Sequence, residues 1–233
     1  GYMHLFTISD LHLSLSADKP MNVFHGWDNY VERIEANWRR LVSDDDTVVI
    51  PGDISWALKL EDSVKDLKFI DDLPGKKIIL KGNHDLWWGT MSKLTAFLSE
   101  NDIKTITPLY NSHIKIGNTG ICGSRGWLCD GTAESDKILA REAGRLETSI
   151  KSALLENLKP EVFMHYPPVY ADQCSEKIVD VLKKYGIKRV FHGHIHGSGL
   201  HRAVKYHDGI EYFLVSCDCI EFTPYKIMPE TDR

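Results

Sequence analysis

The stretch Lys77-Ile-Ile-Leu-Lys-Gly-Asn-His-Asp85 places a polar cluster directly after a run of apolar residues. Such a run predicts a buried strand, so the cluster falls on the loop where that strand ends. Four further clusters follow apolar runs in the same way; they are Asp10-Leu-His12, Gly52-Asp53, His165 and Gly193-His-Ile-His196. Together the five clusters supply Asp, His and Asn atoms, and this pattern predicts a site for two metal ions.

Length and composition predict one domain spanning residues 1–233. The chain has 42% hydrophobic and 26% charged residues, as ordinary globular proteins do, and no repeat or Gly/Pro/Ser-rich linker divides it. No apolar run approaches the length of a bilayer span, and the N-terminal residues show no signal-peptide pattern. Five scattered cysteines without CxxC spacing argue against a disulfide framework, so we expect a cytoplasmic protein.

The N-terminal half of the chain alternates strand-like and helix-like segments. We predict strands over residues 4–9, 47–50 and 77–80, and a helix over residues 61–73. Another helix is predicted to begin after Asp28, which we take as its N-cap. The apolar positions of that helix follow helical spacing; they are Val31, Ile34, Trp38, Leu41 and Val42. These segments form a β-α-β-α-β pattern.

The second half of the chain predicts a second sheet. A helix over residues 91–98 precedes short strand candidates at 105–107, 113–116 and 120–122, and the second sheet begins there. The remaining predictions are a helix over 133–158, a strand over 162–165, a helix over 176–185, a strand over 189–192 and a hairpin over 205–215. Strands and helices in this mixed order imply layered sheets.

The spacing within the clusters suits metal binding. Asp10 and His12 are two residues apart, so both side chains point to the same side of an extended segment. Asp53 follows a glycine that permits a tight turn, and its carboxylate has two oxygens with which to bridge two cations. Asn83 adds a neutral carbonyl oxygen and His165 an imidazole.

His194 and His196 repeat the same-side spacing and bring the predicted ligand set to seven residues. An aspartate alone after a strand is more often a turn or cap residue, and a histidine alone there is more often a hydrogen-bonded residue. Those interpretations require all five clusters to follow apolar runs by coincidence. The metal interpretation explains the whole set at once.

The order of the clusters resembles that of the calcineurin-like metallophosphoesterase superfamily, whose pattern is DxH, GD, GNH(D/E), H and GHxH. All five blocks occur here between Asp10 and His196. The resemblance implies an α/β fold in which two stacked mixed sheets are flanked by helices, a four-layer α-β-β-α sandwich. It also implies two ligand sets: Asp10, His12, Asp53 and His196 for one ion, and Asp53, Asn83, His165 and His194 for the other.

Two adjacent cations suit the hydrolysis of phosphate esters. They lower the pKa of a bridging water, which then attacks as hydroxide, and they orient the phosphate for in-line displacement. The resemblance implies that His84 contacts the phosphate and donates a proton to the leaving alkoxide, with Asp85 orienting His84. The nitrogen and oxygen ligands without thiolate argue against a soft-metal site but do not choose among the harder metals; we expect manganese, and iron, zinc or nickel stay open.

Two residues outside the blocks are candidate substrate contacts. His25 lies on the long connection over residues 13–27, which either shapes the pocket or tucks Phe24 and Trp27 onto the core. Arg125 follows a predicted strand and either clamps a phosphate through its planar guanidinium or forms a surface ion pair.

The leading hypothesis is a hydrolase of small phosphomonoesters, phosphodiesters or nucleotides. A protein phosphatase is disfavoured. The protein Ser/Thr phosphatases that this family resemblance brings in typically have the sequences GDxVDRG and GNHE in the second and third blocks, whereas this chain has Gly52-Asp-Ile-Ser-Trp-Ala57 and Gly82-Asn-His-Asp85. The formal charge of −5 gives no broad basic field, which disfavours a nuclease and nucleic acid as a partner. A binding scaffold without catalysis is the other alternative, but the complete ligand set argues against it.

Overall fold

The computed structural model describes residues 3–230. Its strands, in chain order, are β1 Leu5–Thr7, β2 Thr47–Pro51, β3 Lys76–Leu80, β4 Ile106–Pro108, β5 Ile114–Ile116, β6 Thr119–Ser124, β7 Lys159–Met164, β8 Val169–Tyr170, β9 Gln173–Cys174, β10 Arg189–His192, β11 Tyr206–His207, β12 Ile210–Leu214 and β13 Tyr225–Ile227. Its α-helices are α1 Tyr30–Leu41, α2 Val64–Asp72, α3 Met91–Glu100, α4 Ala133–Leu155 and α5 Glu176–Lys184.

The strands form two mixed sheets that stack face to face. In the first sheet, β1, β2, β3 and β4 are parallel neighbours, and β13 pairs antiparallel with β1. In the second sheet the order is β11-β12-β10-β7-β6-β5, parallel from β12 to β6 and antiparallel at both edges. The strands β8 and β9 form a separate small hairpin.

Alternation of side chains along the strands builds the four layers. Val48 and Ile50 pack toward α1 and α2, whereas Val49 between them packs against the other sheet. Phe163 and Phe191 of the second sheet meet it there, and their strand neighbours pack toward α4 and α5. Because successive strand residues point to opposite faces, continuous apolar runs fill two interfaces at once. The predicted α-β-β-α sandwich is confirmed.

Some local predictions were wrong. Asp28 does not cap α1, because Asn29 occupies the N-cap position in a left-handed conformation and caps with no side-chain hydrogen bond. Leu41 is exposed at the last turn of that helix. The 105–107 strand belongs to the first sheet, so the second sheet begins at β5. The edge strand β13 was missed, since only three residues form it and two are exposed.

None of the helices within residues 3–230 is long and apolar enough to cross a membrane. The longest, α4, has 23 residues and begins where the Thr132 side chain accepts the backbone N–H of Ser135. Thr90 caps α3 in the same way by accepting the N–H of Lys93. A side-chain acceptor at this position satisfies one of the free amides of the first turn.

Candidate metal centre

All seven predicted metal ligands meet at the carboxyl ends of the parallel strands. Asp10 follows β1, Asp53 follows β2 and Asn83 follows β3 in the first sheet. His165 follows β7, and the pair His194 and His196 follows β10 in the second sheet; His12 lies two residues beyond Asp10. The stacked sheets thus bring loops that are distant in sequence to a common edge.

The first group of ligand atoms comes from Asp10, His12 and His196. The Nε2 atom of His196 lies 2.9 Å from Asp10 Oδ1 and 3.3 Å from His12 Nε2. His12 Nε2 lies 3.6 Å from the same Asp10 oxygen. Ligands about 2.1 Å from one ion at right angles lie about 3 Å apart, so these spacings suit one cation.

The second group comes from Asp53, Asn83, His165 and His194. His165 Nε2 lies 2.7 Å from Asn83 Oδ1 and 3.4 Å from Asp53 Oδ2, and the Asn83 oxygen lies 3.3 Å from His194 Nδ1. The same Asp53 oxygen is 3.7 Å from His12 Nε2 of the first group. Asp53 therefore stands between the groups, as a bridging ligand must, and Asp10 lies close enough to His165 to join either.

The electrostatics of the cluster call for positive charge. Asp10 and Asp53 are both buried, and together they raise the pKa of His165 to about 9 although burial opposes this. Burial also opposes the rise at His196, but hydrogen bonds to Asp10 and Asp218 take its pKa to about 10. Divalent cations would replace those protons and satisfy both carboxylates, so the donor set fits a metal centre.

The backbone of the ligand loops is strained. Asp10, His12, Asp53 and His194 all have positive φ values, between 45° and 73°. Non-glycine residues adopt this left-handed conformation at a cost, and they persist there when surrounding structure over-determines them. The four positions aim their side chains into the cluster.

Two glycines allow the ligand loops to approach each other. A Cβ atom at Gly82 would collide with the Asp53 carboxylate, and one at Gly193 would collide with the Asp10 carboxylate. Any other residue at these positions would displace a candidate metal ligand. The glycines of the sequence blocks are therefore steric requirements of the site.

Asp218 is a site residue that the sequence analysis missed. Its Oδ1 lies 2.9 Å from His196 Nδ1, and its Oδ2 accepts the backbone N–H of Gly197 at 2.9 Å. A carboxylate on the far nitrogen fixes the tautomer and orientation of a metal-binding histidine. The available signal was a further aspartate after an apolar strand, but no block of the pattern includes it.

Asp85 does not orient the His84 ring as predicted. Its fully buried carboxylate accepts the backbone N–H groups of Asp53, Ile54, Ser55 and Gly82 at 2.8–3.2 Å. The indole N–H of Trp87 also donates to it, at 3.1 Å. Asp85 therefore ties the Gly52-Asp53 loop to the Gly82-Asn83 loop, because one short carboxylate satisfies donors from both.

The His84 side chain faces an open cleft. Its backbone N–H donates to Asp53 Oδ1 at 2.9 Å, and the residue is exposed where it lines the cleft. The ring centre lies 4.6 Å from that of Trp56 and 5.9 Å from that of His12. Partial burial lowers the pKa of His84 below its ordinary value.

The cleft has a volume of about 630 Å³, and three candidate site histidines, His12, His84 and His196, line it. His25 lines it too, so the structure places this predicted substrate contact beside the ligand cluster. Met21, Phe24, Trp27, Trp56, Leu200 and Phe222 form the apolar walls. The 13–27 connection shapes the pocket, and it tucks Trp27 onto the core as predicted. The same prediction was wrong for Phe24, which stays exposed at the rim of the cleft.

Arg125, predicted either to clamp a phosphate or to form a surface ion pair, does not line the cleft. Its guanidinium lies over the Trp127 ring at 4.6 Å, and its Nε is 3.7 Å from a carboxylate oxygen of Glu142. Arg125 lines a different cavity, together with Lys81 and Arg145. The sequence placed it correctly after β6 but did not indicate to which side the side chain turns.

Residues 3–198 match the family model described as calcineurin-like phosphoesterase. Among solved structures, a protein of unknown function from Aquifex aeolicus is 19% identical with a TM-score of 0.54, over 97% of this chain and 96% of that one. A phosphopantetheinyl hydrolase from Mycobacterium tuberculosis is 16% identical with a TM-score of 0.55, over 98% and 96%. These likenesses concern the fold. No curated protein matches the chain in sequence.

Proposed function

The chain belongs to the calcineurin-like phosphoesterase family, and we propose that it is a dinuclear metal-dependent hydrolase of small phosphate mono- or diesters. The observation that carries this proposal is the convergence of seven nitrogen and oxygen ligands, with both carboxylates buried, beside an exposed histidine on an open cleft. A site that only bound a partner would have no use for two buried carboxylates held together, because they repel each other without cations.

Two ligand sets would hold the ions. We assign Asp10, His12, Asp53 and His196 to one, and Asp53, Asn83, His165 and His194 to the other. Bound divalent cations would supply an activated water nucleophile and would neutralise charge on the phosphoryl oxygens. The nitrogen and oxygen donors without thiolate exclude a soft-metal site but do not choose among manganese, iron, zinc and nickel, of which we prefer manganese.

His84 is the proton donor in this proposal. Its ring makes no hydrogen bond with any residue in the 3–230 range, so both nitrogens are free to contact a substrate. The hydrogen bond from the His84 backbone N–H to the Asp53 carboxylate holds the His84 backbone next to the ligand cluster. From there the imidazole can protonate the leaving alkoxide, which is the group that a phosphate ester releases.

The cleft indicates a small substrate. A volume of about 630 Å³ accommodates a molecule of nucleotide size. His25 is in place to contact a phosphate or a polar group of the leaving portion, and the apolar walls offer surface for a ring or chain. The charge of −5 disfavours nucleic acid, and the composition still favours a cytoplasmic location without membrane attachment.

Hydrolysis of p-nitrophenyl phosphate and bis-p-nitrophenyl phosphate tests the proposal. Metal-stripped protein receives Mn²⁺, Fe²⁺, Ni²⁺, Zn²⁺ or Mg²⁺, and the His84→Ala variant runs beside it. The matched control is His201→Ala, which removes an exposed histidine outside the cleft. Metal-dependent turnover that is lost only in His84→Ala supports the proposal. Turnover that is insensitive to metal, or equal in both variants, contradicts it.

A further inference from the structure

A second cavity of about 430 Å³ opens at the same edge of the sheets as the cleft but shares no lining residue with it. It lies beside Lys81, which follows β3, beside Ser124 and Arg125 at the end of β6, and beside the first residue of α3. The side of α4 closes it with Glu142 and Arg145. We call this space the cationic cavity.

Positive charge dominates the walls of the cationic cavity. Lys81, Arg125 and Arg145 line it, and Glu142 is its one acidic lining residue. The buried Glu142 carboxylate already pairs with both arginines, at 3.7 Å from Arg125 Nε and 3.1 Å from Arg145 Nη1. Three cations against one carboxylate leave a net charge of +2 facing the space.

Two buried polar atoms of the lining lack a partner. The Ser124 hydroxyl is buried, in a residue only 8% exposed, and it makes no hydrogen bond within the described part of the chain. The Nε–H of Arg125 is likewise buried, and its contact with Glu142 is too long for a hydrogen bond. Most buried polar groups in native proteins have a hydrogen-bond partner, so these two atoms are available to an anion or a polar group that enters the cavity.

The start of α3 adds to the same field. Gly89, Thr90 and Met91 line the cavity at the N-terminus of this 10-residue helix. Free amides and the helix dipole favour negative charge at such an end. The Thr90 side chain satisfies only one of those amides, that of Lys93.

The remaining walls are apolar. Leu80, Trp88, Met91, Leu109 and Tyr110 surround the charged groups, and Arg145 lies over the Tyr110 ring at 5.3 Å. A free inorganic anion would leave this surface without a partner. Sites of this size with a few convergent polar groups are typical of small organic ligands.

We propose that the cationic cavity binds a small organic oxyanion, a phosphate or carboxylate group carried on an aromatic or otherwise apolar body. The oxyanion accepts hydrogen bonds from the Ser124 hydroxyl and from the Arg125 and Arg145 guanidinium groups, and it pairs with Lys81. Bidentate arginine contacts give such a group both charge and geometry. The body of the ligand packs on Trp88 and Tyr110.

Fluorine NMR of 5-fluorotryptophan-labelled, metal-loaded protein tests this proposal, because the tryptophans separate the two spaces. Trp88 lines the cationic cavity, whereas Trp27 and Trp56 line the cleft. Single Trp→Phe variants assign these resonances. Titration with phenylphosphonate is expected to shift the Trp88 resonance saturably, with a Kd of about 1 mM or tighter. Benzoate tests whether a carboxylate serves as well as a phosphonate.

Variants of the cavity supply the controls. Arg145→Met is expected to weaken phenylphosphonate binding at Trp88 at least tenfold, and Arg145→Lys, which keeps the charge but loses the bidentate contact, is expected to weaken it less. The Trp27 and Trp56 resonances report in the same spectra that the fold and the cleft are intact. The proposal is overturned if phenylphosphonate moves only Trp27 and Trp56, or if Arg145→Met leaves the Trp88 titration unchanged. Inorganic phosphate binding as tightly as phenylphosphonate would overturn the role of the apolar walls.

Discussion

The metal centre and the cationic cavity lie at one edge of the molecule but have opposite electrostatics. The loop after β3 serves both, since Lys81 lines the cationic cavity and Asn83 joins the metal ligands. At the candidate metal centre two buried carboxylates lie among histidines, and in the cavity three cations share one carboxylate. Each site can therefore be recognised by the charge that its own residues leave unbalanced.

The largest expected effect comes from the bridging ligand. Asp53→Asn removes a negative charge and one bridging oxygen, so we expect the metal content to fall from two ions per chain to one or none. Hydrolysis should fall at least about 10³-fold. Elemental analysis and the p-nitrophenyl assays measure both quantities. Full metal occupancy in the variant would contradict the assignment of Asp53 as the bridging ligand. An unchanged Trp88 titration would show that the cationic cavity binds its ligand independently of the metal centre.

His84→Ala is expected to reduce turnover by about 10²–10⁴-fold, the usual range for loss of a general acid. Its metal content should stay that of the parent protein, because the ring nitrogens of His84 are not ligands. Kinetics on esters with leaving groups of different pKa give a sharper check, since the loss should be smallest for the most acidic leaving group. An equal loss for all of them would remove His84 from proton donation.

Asp218→Asn tests the residue that supports His196. The asparagine retains an acceptor for the Gly197 N–H but no longer offers a charged partner to His196 Nδ1. Loss of such a partner typically costs about 10–100-fold in metal affinity or activity. Competition with a metal chelator measures the affinity. An affinity equal to that of the parent protein would show that His196 is oriented without Asp218.

A buried lysine on β3 provides the smallest effect and a contrast to the cationic cavity. Lys77 is fully buried, and its ammonium donates to the carbonyl oxygens of Asp71 and Leu73 and to Thr105 Oγ1. Here the chain itself supplies every partner, so no external anion is needed. Burial nevertheless lowers the pKa of Lys77 to about 8.

This shift predicts how stability depends on pH. Between pH about 8 and the ordinary lysine value of 10.5, the unfolded chain holds the Lys77 proton and the folded chain releases it. The free energy of unfolding therefore rises with pH in this window, and between neutral pH and about pH 9.5 the rise is about 2 kcal/mol relative to Lys77→Met. Urea unfolding of both proteins at neutral pH and at about pH 9.5 measures the difference. A constant difference would contradict the lowered pKa.

The convergence of the seven candidate ligands could be predicted from sequence, because each short block follows an apolar run that forms a strand. The apolar runs before Asp10 and His194 predicted the strands correctly. The same-side geometry of an extended segment was wrong, because Asp10, His12 and His194 lie on loops beyond the strands with left-handed backbone. The sheet order then does the rest, because parallel strands end at one edge. The layered fold was predictable for the same reason.

The residues that were missed or misplaced depend on contacts between distant segments. Asp218 meets His196 across 22 positions, and Asp85 bonds amides about thirty positions away. Neither has a local signature that tells which partner its carboxylate takes. Arg125 turned away from the metal site because the buried Glu142 on α4 holds it. The cationic cavity could not be predicted from sequence, because its charged residues lie after β3, after β6 and on α4, with no common spacing between them.

Anomalous diffraction at the manganese edge from crystals grown with Mn²⁺ is the direct test of the proposed dinuclear metal centre. We expect two peaks, one beside Asp10, His12 and His196 and one beside Asn83, His165 and His194. The Asp53 carboxylate should lie between them, with ligand distances of about 2.0–2.2 Å. A single ion, or ions bound away from Asp53, would contradict the dinuclear centre on which the proposed function rests.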